Sequence, residues 1–408
     1  MMEIIDGGVT APKGFQAAGI MAGVKKQDKK DMALVYSEVP AAVAGVFTTN
    51  VVKASPVKWD IRLVKEQETA QAVVLNSGIA NAVTGKTGDA NNEAMAQYIA
   101  DGLKIDKNQV LTASTGVIGM QLPMDVIEQG CKKLVSSLSS DRQSGKDAAE
   151  AIMTTDTICK EAAVQFHLSG KTVTLGAMTK GSGMIHPNMA TMLCTVTTDA
   201  SISKEMLQKA MNQVVNISFN MISVDRDTST NDSYMILANG LAENDTITEE
   251  GPDFDLFCEA LKEVSITLSK LMAGDGEGAT KLLETKVIHA DTEEHAKILA
   301  KSVITSNLVK TAVYGSDANW GRIFCAMGYS GVSFDPDKVD LYIESSAGSL
   351  KLVENGMATD YSEEKATQIL SKEAVTAIAD MKDGEAEACA WGCDLTYDYV
   401  KINGDYRS

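Results

Sequence analysis

The spacing of apolar residues changes period many times along this chain, and each change marks an element boundary. Residues 32–59 hold three runs, MALVYSEVP, AAVAGVFTTN and VVKASPVKW, whose small and β-branched residues read as strands. A further apolar run at 71–76, QAVVLN, leads into the glycine-bearing turn SGIANAVTGKTG. Residues 91–103 switch to helical spacing, with Asp89 as a cap near the start. A short strand at 110–113, a loop STGVIGMQLP and a helix at 124–138 with Pro123 in its first turn come next. A short helix at 147–153 stops at TTDT, and two strands, 160–168 and 171–178, share the two-residue turn Ser169-Gly170.

In the second half, MLCTVTT is a β-prone run and residues 204–215 are helical in pattern. NISFNMISVDRDTSTNDSYMILAN is a polar loop between two apolar runs. Residues 253–272 predict a long amphipathic helix carrying Phe254, Phe257, Leu261, Val264 and Leu268 on one face, ending in AGDGEGATK. A strand at 281–289, a helix at 293–303, a loop VYGSDANWGRI, a strand at 339–344 and a helix at 363–380 follow. Residues 386–390 and 394–403 read as β. Strands are often adjacent rather than alternating with helices, which predicts an α+β fold, and no short-period repeat or linker interrupts it.

Composition narrows the function. At 408 residues the chain is long for one ordinary core and suggests two large layers or two domains. Its 44% hydrophobic and 23% charged residues are those of a soluble globular protein. A net charge of −18 argues against nucleic acid and anionic membrane surfaces as partners. MMEIIDGGVTAPKGF lacks a basic start followed by an apolar stretch, and no run approaches the roughly 20 apolar residues of a membrane span. With seven scattered cysteines, the expectation is a cytoplasmic protein whose thiols are small core residues.

Several familiar motifs fail on inspection. ANAVTGKT at 80–87 has Ala80 where a phosphate loop needs its first glycine. Asp225-Arg226-Asp227 opens like a calcium loop, but Thr230 stands at the sharp-turn glycine. Cys389 and Cys393 have no matching second pair, and the four histidines form no HExxH, so no metal is expected.

KGSGMIHPNMATML at 180–193 offers more. Gly-Ser-Gly frees the backbone, His186-Pro187 stiffens it, and Ala190-Thr191 precedes an apolar run. Cleavage between Ala190 and Thr191 would give Thr191 a free α-amine as its own base, with a reference pKa of about 7.7–8.0. An oxyanion pocket could come from Ser114-Thr115-Gly116, and Lys180 could hold a substrate carboxylate. Read one by one, each is also an ordinary feature: a surface turn before a core strand, a plain turn, a solvated loop charge. His186 is a candidate base or orienter and stays unassigned.

Taken together, STGVIG (114–119), TTDT (154–157), KGSGMIHPNMATML (180–193), DTSTND (227–232), GDGEGATK (274–281), SDANWGRI (316–323) and YVKINGDYRS (399–408) resemble, in order, the ornithine acetyltransferase (glutamate N-acetyltransferase) family of arginine biosynthesis. The resemblance covers essentially the whole chain. It implies self-cleavage between Ala190 and Thr191 into chains 1–190 and 191–408, which stay associated, two of each forming a heterotetramer. It implies transfer of an acetyl group from N2-acetylornithine to glutamate through an ester on Thr191, with Thr115 and Gly116 as oxyanion hole. Thr154, Lys180, Thr191, Glu277, Asn403 and Ser408 match its substrate-binding positions. The fold it implies is an α/β/β/α-type layered sandwich, similar to N-terminal nucleophile hydrolases but with different connectivity. No bound cofactor is implied; acetyl-CoA is a candidate second acetyl donor that the residues neither require nor exclude.

The chain departs from the family's pattern in having Val83 for a cysteine, Arg226 for a glycine and Ser408 for a threonine. Two other readings remain open at this point. One is a self-cleaving aminopeptidase or amidohydrolase with water as acceptor. The other is an uncleaved acidic binding protein in which Thr191 merely starts a core strand.

Overall fold

The computed structural model describes residues 2–26, 28–186 and 192–405. Packing divides them into two units. The first holds the described residues of Met1–Gly181, Pro187–Phe219 and Thr228–Leu268, the second those of Ser182–His186, Asn220–Asp227 and Ser269–Ser408. Stretches before and after residue 190 therefore contribute to both units.

The first unit is built on a nine-stranded mixed sheet. Its order is Glu3–Ile5, Lys160–Leu168, Lys171–Lys180, Leu193–Thr198, Ser233–Ala238, Met32–Phe47, Thr69–Ile79 and Val110–Val117, with Phe15–Ile20 also pairing Met32–Phe47. The two-residue turn predicted at Ser169-Gly170 is present, both residues having positive φ (49° and 76°), as a twisted hairpin requires. Strand alternation sorts the core into two faces. Met32, Leu34, Ala72 and Val74 pack with Met95, Ile99, Ile127, Cys131 and Leu134 of the helices Gly85–Leu103 and Met124–Ser136. Their neighbours Ala33, Val35, Val73 and Leu75 pack with Ala148, Ala149 and Ala151 of Arg142–Ala151.

The second unit has a seven-stranded sheet in the order Met357–Ala358, Gly348–Glu354, Asp340–Ser345, Ala374–Asp380, Leu282–Ala290, Ala386–Cys393 and Ile222–Ser223. The helix Glu293–Ile304 packs on its Leu282–Ala290 and Ala386–Cys393 strands. Two sheets with helices and many antiparallel neighbours make this the expected α+β class. Among the described residues no helix is long and apolar enough to cross a membrane.

Several expected elements are corrected. VVKASPVKW is not a strand: Ser55–Glu66 is a helix with Pro56 in its first turn, where the missing N–H is no loss, and Val57, Leu63 and Val64 form its buried stripe. The stretch 363–380 divides into the helix Glu363–Leu370 and the strand Ala374–Asp380, whose Val375, Ala377 and Ala379 alternate inward at the period of two. The predicted β segment 394–403 is mainly the helix Tyr397–Gly404, started by the Thr396 side chain accepting from the Tyr399 amide. VYGSDANWGRI spans the end of the helix Asn307–Tyr314, the turn after it and the start of the helix Trp320–Gly328. The helix expected from residue 91 begins at Gly85, and Asp89 lies inside it, accepting from Ser55 Oγ at 2.7 Å.

Two of the sequence departures sit on unusual backbone. Arg226 has φ +71° and Val83 φ +58°, in the left-handed region that favours glycine. Replacing exposed Arg226 by the family's glycine is expected to raise stability by about 0.5–1 kcal/mol, read from the midpoint of denaturant unfolding. A lower midpoint would mean that the Arg226 side chain contributes more than its backbone costs.

Candidate active site

Four expected site residues come together in the first unit. Lys180 ends the strand Lys171–Lys180, opposite Leu193 in the register. It is buried rather than a solvated loop charge, and its Nζ lies 3.5 Å from Thr115 Oγ1. Ser114-Thr115-Gly116 is not a loop as expected but the end of the strand Val110–Val117, paired with Asn76-Ser77-Gly78. Pairing extends this far because glycine meets glycine: a Cβ on Gly116 would lie 2.3 Å from the carbonyl carbon of Gly78. Gly116 has φ +128°, which turns its peptide out of ordinary strand geometry.

A polar scaffold fixes this strand end from behind. Ser114 Oγ donates to Asn76 Oδ1 at 2.7 Å, and Asn76 Nδ2 donates to the Ile79 carbonyl at 2.9 Å. Asn231, from the DTSTND motif, donates to the Ala80 carbonyl at 2.6 Å and the Ser114 carbonyl at 2.8 Å. All three side chains are buried, so each hydrogen bond also avoids an unmade one.

Asp156 organises the rest. Its Oδ2 accepts from the Thr154 amide at 3.0 Å, and its Oδ1 accepts from the Gly181 amide at 2.7 Å and from Lys160 Nζ at 2.7 Å. One carboxylate thus ties TTDT to the residue after Lys180. Burial would raise its pKa, but the ammonium groups of Lys180 and Lys160 outweigh that and hold it well below the usual carboxylate range. The sequence places Asp156 within TTDT without marking a role for it, and no motif points to Lys160. The available signal was a lysine at the start of an apolar strand four residues after an aspartate.

Two further site residues meet in the second unit. Glu277 follows the helix Pro252–Gly274, and its amide donates to the Ser182 carbonyl at 2.8 Å. Asn403, on the helix Tyr397–Gly404, donates from Nδ2 to Glu277 Oε2 at 2.7 Å. The Gly183 backbone lies against the Glu277 carboxylate, and a Cβ there would come 2.3 Å from its carboxyl carbon. Asp225 anchors the same stretch, accepting from the amides of Met184 at 2.6 Å and Ile185 at 2.8 Å. Burial pushes the Tyr399 phenol up, and the negative charges of Asp225 and Glu277 push it further.

His186 Nδ1 is 3.0 Å from Ser223 Oγ. Burial lowers its pKa to about 4, helped by Lys301 and Arg226, so the ring is neutral near pH 7. Ala190, Thr191 and Ser408 lie outside the described residues. Among the described residues no group of three His, Cys, Asp or Glu side chains is placed to hold a metal ion.

Each unit thus holds its own cluster of expected site residues. In the first unit a buried lysine stands beside the strand end at Thr115 and Gly116; in the second, the Glu277 carboxylate accepts from the Asn403 side chain. Comparison with known proteins adds the following. The ArgJ family model matches residues 16–408. The arginine biosynthesis bifunctional protein ArgJ of Caldanaerobacter subterraneus subsp. tengcongensis is 53% identical over 407 residues, covering 100% of both chains. Its counterpart in Thermotoga neapolitana is 50% identical over 398 residues, covering 97% of this chain and 99% of the relative. Among solved structures, the ornithine acetyltransferase of Mycobacterium tuberculosis, complexed with ornithine, is 41% identical with a TM-score of 0.44, covering 47% of this chain and 100% of that one.

Proposed function

The chain belongs to the ArgJ family, and from that premise we propose that it moves an acetyl group from N2-acetylornithine to glutamate, in the cytoplasm, through an ester on Thr191. The observation that carries the reading is that Asp156 ties Thr154 to Gly181, the residue after Lys180, whose ammonium lies 3.5 Å from Thr115 Oγ1.

In this account the peptide bond between Ala190 and Thr191 is cut first. Chains 1–190 and 191–408 then stay together through the sheet of the first unit. The pairing of Lys171–Lys180 with Leu193–Thr198, and of Met32–Phe47 with Ser233–Ala238, crosses the cut. Thr191 Oγ attacks the acetyl carbonyl carbon while its own α-amine takes the hydroxyl proton. The oxygen that becomes negative is met by donors at Thr115 and Gly116, each donor of this kind being worth on the order of 10²–10³ in rate. Collapse expels ornithine, whose leaving amine takes the proton, and leaves acetyl-Thr191. The amine of glutamate then attacks the ester, the proton returns to Thr191, and N-acetylglutamate departs.

Lys180 pairs with the α-carboxylate that both amino acids carry, and Glu277, oriented by Asn403, meets an ammonium group. Ser408 contributes a hydroxyl to the same substrate. Acetyl-CoA would deliver its acetyl group to the same Thr191, the leaving thiol replacing the leaving amine. Two α and two β chains would make the working assembly.

Because one product leaves before the second substrate reacts, initial rates measured over a grid of both substrates are expected to give parallel double-reciprocal lines. Intersecting lines would contradict the ester intermediate. Acetate release at the same rate without glutamate would make the enzyme a hydrolase instead.

A further inference from the structure

Lys25 has no role in the account so far, yet its surroundings are those of the first cluster. It lies between the strands Phe15–Ile20 and Met32–Phe47, in a connection built by the buried carboxylate of Asp31. That carboxylate accepts from the amides of Ala22 at 2.7 Å, Gly23 at 3.0 Å and Lys25 at 2.9 Å. The Lys25 side chain then runs past Gly78, where an added Cβ would come 3.0 Å from its Cγ. Gly78 is in turn packed directly on Gly116. At its end, the ammonium donates to the carbonyl oxygens of Lys30 at 3.1 Å and Met153 at 2.7 Å, the residue before Thr154. One half-buried lysine therefore meets the site three ways: Gly116 through Gly78, Thr154 through the Met153 carbonyl, and Lys180 through charge.

We propose that Lys25 is a positioning residue of the carboxylate-binding site, placing a second positive charge beside Lys180 and fixing the Met153 carbonyl, so that amino-acid substrates are held by their carboxylate. The proposal rests on the acetyl-transfer reading above.

The charges around it fit that role. The groups acting on Lys25 are Asp31, Lys29, Lys180 and Asp156, and Asp156 is acted on in turn by Lys160. Burial, with repulsion from Lys29 and Lys180, lowers the Lys25 pKa to about 8, against the opposing pull of Asp31 and Asp156. The direction of linkage follows. A bound carboxylate favours protonated Lys25, so protonated Lys25 favours the carboxylate by the same factor. Affinity for an amino acid is therefore full below about pH 8 and falls as pH rises through that value.

The test is the KM for glutamate of the active, cleaved enzyme between roughly pH 7 and 9.5, for wild type, Lys25→Met and Lys25→Arg. Arginine stays charged throughout, so dividing the wild-type KM by that of K25R removes the titration of substrate and of the Thr191 amine, which all forms share. The ratio is expected to rise about five- to tenfold across the range. K25M is expected to show a raised KM already near neutrality, with kcat within about twofold of wild type. A flat ratio, or a folded K25M with the wild-type KM, would overturn the proposal. If K25M does not fold, the K25R ratio decides alone. A wild-type protein that transfers no acetyl group would overturn the functional reading together with this one. An active wild type whose ratio stays flat would overturn only the role of Lys25.

Discussion

Replacing Gly116 by alanine is expected to lower kcat/KM for acetyl transfer by about 10²–10³ while leaving a folded protein. The cause is geometric. The new Cβ would come 2.3 Å from the carbonyl carbon of Gly78, 2.5 Å from its oxygen and 2.7 Å from the Ile79 nitrogen. These are backbone atoms of the paired strand, so no side chain can move aside, and φ +128° is itself unfavourable for any residue with a Cβ. The two strand ends must part, which moves the Thr115–Gly116 peptide out of the oxyanion role proposed for it. Gly119→Ala is the matched control. Gly119 also has positive φ (+84°), but nothing lies within 4 Å of an added Cβ. It is expected to cost about 1 kcal/mol of stability and little rate. Equal rates for the two variants would remove Gly116 from the oxyanion role.

Asp156→Ala is expected to destabilise the protein by about 3–5 kcal/mol and to abolish transfer. Lys160 and Asp156 have side chains that are 0% exposed, so the variant leaves a buried ammonium ion without its carboxylate. It also removes the acceptor of the Gly181 and Thr154 amides, loosening the residues beside Lys180 and at the TTDT motif. A folded-state pKa held below the usual carboxylate range means that the stabilising contribution is complete above the unfolded value of about 4 and is lost only as pH falls through the depressed one. The wild-type contribution is thus constant across neutral pH. The double variant Asp156→Leu with Lys160→Met is expected to recover part of the stability and none of the activity, since it removes the buried charge but not the two orphaned amides. Denaturant unfolding and the transfer assay read the two effects separately. A D156A protein of near wild-type stability would show that Lys160 finds another partner.

What could be read in the sequence depended on whether the signal was local. The helix Lys204–Val215 and the hairpin Lys160–Leu168 with Lys171–Lys180 were legible because period, turn and cap all lie within the segment. The helix at Tyr397–Gly404 was not, because Tyr397 and Val400 are exposed and its apolar residues do not trace a buried stripe. The strand at Ala374–Asp380 was lost to a helix preceding it with the same small apolar residues. At the site, the resemblance to the family supplied Lys180, Thr154 and Glu277 by motif, but not what holds them. Asp156 reaches the Gly181 amide 25 residues on, Asn231 reaches carbonyls more than a hundred residues away, and Gly78 matters only because Gly116 faces it. Such contacts are properties of strand register, which no single segment carries.

The central claim is that Thr191 becomes N-terminal and then carries the acetyl group. Mass spectrometry of active protein, mixed with N2-acetylornithine in the absence of glutamate and then denatured in acid, tests it directly. The account predicts two chains, one ending at Ala190 and one beginning at Thr191, the second heavier by one acetyl group that disappears when glutamate is added. A fully active sample containing only the intact 408-residue chain, or a second chain that never gains the acetyl group, would contradict it.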